Sequence, residues 1–254
     1  MTEIEPRWRD VADSRELPAA SQDPITWRKT RQYIAFVVLS VAAFGLTAIM
    51  IASSSAYFQP FFGEISPMLV VAMAPVAGGV SLILLQFLGR FEILRGRETL
   101  RGIAVSAAMA TVLAVAIIIA DFIIRYPQDL NVPVPAAFLF YPAVGFVAEI
   151  VFHVLPLALL LLILAPLGKW LGIECIVRMG VVIAAVIEPT FQVVFKGSPF
   201  SWASAYTWVH IFAIALLQLY VFRRYDFVSM YSFRLFYYAY WHVAWGVIRL
   251  KVLF

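Results

Sequence analysis

Glu149 and His153 lie four residues apart in FVAEIVFHVLPLALLLL (residues 146–162), a run that is otherwise apolar. That spacing puts both on one face of one helix. A carboxylate and an imidazole so placed could share a proton, activate a water, or bind one metal ion together. Three more titratable residues have similar surroundings: Glu188 in VIEPTF, His210 in YTWVHIF and His242 in YYAYWHVAWG. At the rise of an α-helix, these five groups on four expected helices share a band about 15 Å deep. An isolated charge at bilayer depth costs several kcal/mol, so such groups face the bundle interior and pair. Their convergence is the strongest functional signal in the sequence.

Each group also has a structural reading. Glu149 and His153 can pair only to lock helix packing, and Glu188 can satisfy backbone groups freed by Pro189. His210 and His242 sit among aromatic residues, as hydrogen-bonded core histidines do. Asp121 with Arg125, and Glu174 with Arg178, read as i,i+4 surface pairs. Arg234 reads as a side chain snorkelling inward. No chemistry is assigned to those last five.

The elements that must hold these groups are membrane helices. The 254 residues are 63% hydrophobic and 13% charged, with a mean hydropathy of +0.90. A soluble domain carries about 45–50% apolar and about 25% charged residues. Seven segments reach the roughly 20 apolar residues that a span requires: 32–54, 66–89, 101–124, 136–167, 175–195, 201–222 and 229–250. The expectation is an all-α polytopic bundle, a single transmembrane domain over 32–254. The fourth span carries Pro142, Pro156 and Pro166, so it is expected to be kinked or broken, with its freed carbonyls facing protein or water. Small residues in the second and third spans suit close helix packing.

Residues 1–31 are polar and read as a cytoplasmic arm without a cleavable signal, with Trp27 and Tyr33 as interfacial anchors. Basic residues in the loops divide thirteen to four in favour of the N-terminal side, which gives N-terminus in and C-terminus out. One cysteine, Cys175, excludes an internal disulfide and any cysteine-cluster metal site. The four lysines all lie at the ends of the expected spans, which excludes a retinal protein.

The last four spans, over about 136–250, resemble the CPBP family of CAAX-prenyl proteases and bacteriocin-processing proteins, the glutamic-type intramembrane proteases. AEIVFHV (148–154) overlays the family's EExxxR motif, and 216–246 resembles its closing stretch, with His242 at the histidine of HxxxN. Ala148 stands in place of the first glutamate, His153 in place of the arginine, and Gly246 where the asparagine would be. The middle motif, FxxxH, falls by spacing near Glu188 and Gln192, and by letters on Tyr206 to His210.

The resemblance implies a hydrolase, a peptidase acting on a hydrophobic or lipidated peptide. Glu149, His153, Glu188 and His242 are then the catalytic candidates, and the same four could ligate a divalent zinc, iron or manganese ion. Two alternatives stand beside it. One is a non-catalytic scaffold or subunit of a membrane complex. The other is a redox protein with haem or metal held by some of His153, His210 and His242. The expected setting is the inner (plasma) membrane, with the lipid bilayer and a membrane protein or lipidated peptide as partners, and no nucleic acid.

Overall fold

The computed structural model describes residues 24–53, 56–88, 91–195 and 201–254, with side chains in the first helix from Thr30 onward. The N-terminal arm to residue 23, the side chains of Trp27, Arg28 and Lys29, and the basic residues Arg90 and Lys196 lie outside them. The described residues form seven long helices: α1 Pro24–Ser53, α2 Pro67–Phe87, α3 Arg97–Ile124, α4 Ala137–Leu171, α5 Ile173–Thr190, α6 Trp202–Arg224, and α7 over 227–252. Their ends fall close to the expected spans, with α1 extending further back. Of these, α1, α2, α3, α4 and α6 are long and apolar enough to cross a membrane. The fold is an all-α membrane bundle. Helix α5 carries Glu174, Arg178 and Glu188, and α7 carries Arg234, Arg249 and Lys251, so neither is apolar throughout.

Three helices depart from regular α geometry. The middle of α4 is a π-helical turn over Glu149–Val154, just ahead of Pro156. Helix α5 ends in a π turn over Phe191–Phe195, just after Pro189. Helix α7 is π-helical over Ala239–Trp245. Such widened turns frequently mark functional sites. Here they carry Glu149 and His153, Gln192, and His242.

Small residues let the helices approach closely, as their placement in the sequence suggests. A Cβ added at Gly78 of α2 would lie 2.9 Å from Ile150, within the π turn of α4, and one at Gly180 of α5 would lie 2.8 Å from Leu161. A Cβ at Gly102 of α3 would overlap Ser229 of α7.

Helix α7 is fixed to α3 at both ends. At its start, Asp226 is the N-cap and accepts from Ser229 N at 2.8 Å. The same carboxylate accepts from Arg95 N at 3.0 Å and from the Thr99 hydroxyl. Ser106 of α3 donates to the Ser229 carbonyl at 2.8 Å. Near the other end, Arg249 is fully buried against Asp121 of α3, with Nε to Oδ2 at 2.7 Å and Nη2 to Oδ1 at 3.0 Å. Trp245 Nε1 donates to the same carboxylate at 2.8 Å. Asp121 is therefore not the surface partner of Arg125. Arg125 ends α3 in a left-handed conformation instead, with φ of 53°.

Candidate functional site

The two helices that carry Glu149 and Glu188 face α7, and Arg234 of α7 lies between the two carboxylates. Its Nε donates to Glu149 Oε1 at 2.5 Å. Its two terminal nitrogens fork onto Glu188 at 2.9 and 2.8 Å, the bidentate geometry a guanidinium favours. The remaining N–H groups reach Tyr238 OH at 3.0 Å and Gln218 Oε1 at 3.3 Å. A guanidinium has five N–H donors, and all five are used.

Gln218 of α6 also donates to Glu149 Oε1. Gln192 donates to Glu188 Oε1 at 2.9 Å. His153 Nδ1 lies 2.7 Å from Glu149 Oε2. Its Nε2 is buried without a hydrogen-bond partner, 3.4 Å from Glu188 Oε2. Glu149, His153, Glu188 and Arg234 are all 3% exposed or less. Two carboxylates against one guanidinium leave a formal charge of −1 with His153 neutral, and none with it protonated. A buried set of charges persists only when paired and hydrogen-bonded in this way.

A cavity of about 490 Å³ lies beside this cluster. Glu188, Arg234, Tyr238 and His242 line its interior, and Arg125 and Ser201, both exposed, line it at the end of the bundle. Glu149 and His153 do not line it. His242 is stacked on Tyr141, with ring centroids 4.7 Å apart, and meets the edge of Tyr238 at 5.0 Å. Its Nδ1 lies 2.7 Å from Asn131 Oδ1. In this orientation the amide oxygen faces the ring and Asn131 Nδ2 is buried without a partner. An amide oxygen can only accept, so Nδ1 carries the proton and Nε2 keeps a lone pair. Tyr238 OH accepts from Arg234, which leaves its own proton to donate.

The structure joins Glu149, His153 and Glu188 as their positions in the sequence suggest. It does not join His242 to them, because His242 pairs with Asn131 instead. His210 lines the same cavity and pairs through Nε2 with Tyr237 OH at 3.0 Å, stacked near Tyr206. Glu188 does not serve the backbone around Pro189; its acceptors are taken by Arg234 and Gln192. Arg234 does not snorkel but is the centre of the cluster. Arg249, one of the four basic residues counted on the side opposite the N-terminus, is buried on Asp121. Glu174 does meet Arg178, at 3.5 Å, and also Arg223.

A metal does not fit the Glu149, His153 and Glu188 set. The guanidinium occupies the space between the carboxylates, and His153 spends Nδ1 on Glu149. Among the described residues, no three His, Cys, Asp or Glu are arranged to hold a metal ion.

Sequence reasoning missed Gln218, Tyr238 and Asn131. Gln218 had a signal, as a lone amide in the apolar stretch ALLQLYVF. Tyr238 stands i+4 from Arg234 and i−4 from His242, a spacing that puts all three along one helix face. Asn131 lies in a loop and had none. In comparisons with known proteins, no family model, no curated protein and no solved structure matches the chain.

Proposed function

We propose that this protein is a membrane-embedded hydrolase of CPBP type, cleaving a peptide bond in a hydrophobic or lipidated peptide admitted to the cavity. The observation that carries this reading is the pairing of His242 and Tyr238 on one wall of that cavity. His242 Nε2 takes a proton from water, and the oxygen bonds to the substrate's carbonyl carbon. The developing oxyanion is met by the Tyr238 hydroxyl, which Arg234 polarises from behind. The C–N bond then breaks as His242 passes its proton to the leaving amine, giving an acid and an amine. Glu149, His153, Glu188 and Gln218 act through Arg234, fixing the charge that backs Tyr238.

In this reading the chain crosses the inner membrane seven times, with α5 and α7 spanning and the N-terminus in. The cavity then opens toward the outer face. Glu188 on α5 and Arg234 and Arg249 on α7 support that placement, since all three are buried against protein rather than turned to lipid.

A second reading, a non-catalytic scaffold, draws on the saturation of Arg234 and on Ala148, whose methyl group cannot activate water. The test is turnover of a fluorogenic farnesylated peptide by the protein in proteoliposomes. Hydrolysis that is lost in His242→Ala and falls at least 100-fold in Tyr238→Phe, the range for one oxyanion donor, supports the enzyme. Turnover equal in wild type and His242→Ala rejects it.

A further inference from the structure

We infer that Asn131 is the positioning residue of His242, holding its imidazole in the Nδ1–H form so that the Nε2 lone pair faces the cavity. The inference deepens the hydrolase reading, but the geometry that carries it does not depend on substrate. The amide oxygen sits 2.7 Å from Nδ1. The Asn131 side chain itself does not line the cavity, so it acts through the imidazole.

The loop that presents Asn131 is fixed from two sides. Upstream, Arg249 donates to the carbonyls of Tyr126 at 2.6 Å and Pro127 at 2.8 Å. Downstream, Val132 N donates to Tyr141 OH at 2.9 Å. Tyr141 is also the ring on which His242 stacks. One tyrosine thus sets both the loop and the imidazole plane, and the Asp121–Arg249 pair ties the loop to the same helix that carries His242.

Gly246 completes the arrangement. It lies one turn beyond His242, and a Cβ added there would lie 3.0 Å from Asn131 Nδ2 and 3.3 Å from its Cβ and Cγ. The bare backbone makes room for the amide to lie flat against α7. It follows that a side chain at 246 would project into the space Asn131 now fills, and that one asparagine at either position could serve His242.

Three histidines occur in the chain, so nitrogen NMR of the ¹⁵N-histidine-labelled full-length protein in detergent resolves each imidazole, with His242→Gln assigning the signal. Wild type should show His242 with a protonated Nδ1 and an unprotonated Nε2. Asn131→Ala should mix the two tautomers, and Asn131→Ala with Gly246→Asn should restore the single form. Turnover should fall about 10- to 100-fold in kcat for Asn131→Ala, as for other residues that orient a functional imidazole, with KM little changed, and recover in the double variant. If Asn131→Ala does not fold, Asn131→Leu keeps the side chain's shape without its oxygen and reads out the same way. A His242 ring that keeps its Nδ1 proton in either variant overturns the inference. A fixed tautomer in a protein that hydrolyses nothing rejects the hydrolase and leaves the positioning role standing.

Discussion

Replacing Arg234 with methionine tests whether the buried cluster organises the bundle. The substitution keeps most of the side chain's bulk and removes one positive charge with five donated hydrogen bonds. Glu149 and Glu188 then face each other across an apolar gap with only Gln218, Gln192 and His153 as partners. Removing one member of a buried ion pair costs about 3–5 kcal/mol, because the other charge is left uncompensated. For a chain of this size, about 2–4 °C of melting temperature is lost per kcal/mol, so Arg234→Met should melt at least 6 °C below wild type in the same detergent. Adding Glu149→Gln and Glu188→Gln should recover most of the loss, because neutral amides no longer need the cation. Arg234→Lys should fall between, since an ammonium is a point charge that cannot fork onto Glu188 while reaching Glu149. Melting is followed by the near-ultraviolet signal of the buried aromatics. An Arg234→Met protein that melts within about 2 °C of wild type would refute the reasoning, as would a triple variant no more stable than the single one.

Asp121→Asn should also lower the melting temperature, by about 3–5 kcal/mol in stability, and should speed limited proteolysis after Trp245 as the end of α7 is released. Gly102→Ala forces α3 away from Ser229 and Tyr225, and should cost about 1–3 kcal/mol by overpacking, read in the same melting assay. Cys175, exposed near the start of α5, should react with a membrane-impermeant maleimide only after cells are opened. Ser201→Cys in a Cys175→Ser background should react in intact cells, and the reverse pattern would invert the topology.

The helices were legible because apolar runs of this length have few alternatives. Seven segments read from hydropathy match seven helices closely, although composition alone marks only five of them as able to cross a membrane. The Glu149–His153 contact followed from a spacing of four, and it holds across a π turn that the sequence does not announce. Arg234 was hidden by its place near the expected end of a span, where a long cation reads as interfacial. The missing step was charge balance: two carboxylates buried on α4 and α5 demand a cation, and Arg234 is the basic residue of α7 deep enough to supply it. Asp121 illustrates the opposite error. Arg125 sits at the right local spacing, yet the carboxylate pairs with Arg249, distant in sequence and brought close only by packing. Asn131, in an irregular loop, belongs to no periodic pattern, and its value depends wholly on where the loop is pinned.

The most direct test of the central claim is hydrolysis in H₂¹⁸O. Protein in proteoliposomes is incubated with a library of hydrophobic peptides, and the products are read by mass spectrometry. New C-termini carrying one ¹⁸O atom, produced by wild type and lost in His242→Ala, are the predicted result. A wild-type digest with no ¹⁸O-labelled termini above the His242→Ala control would contradict a hydrolytic site in this cavity.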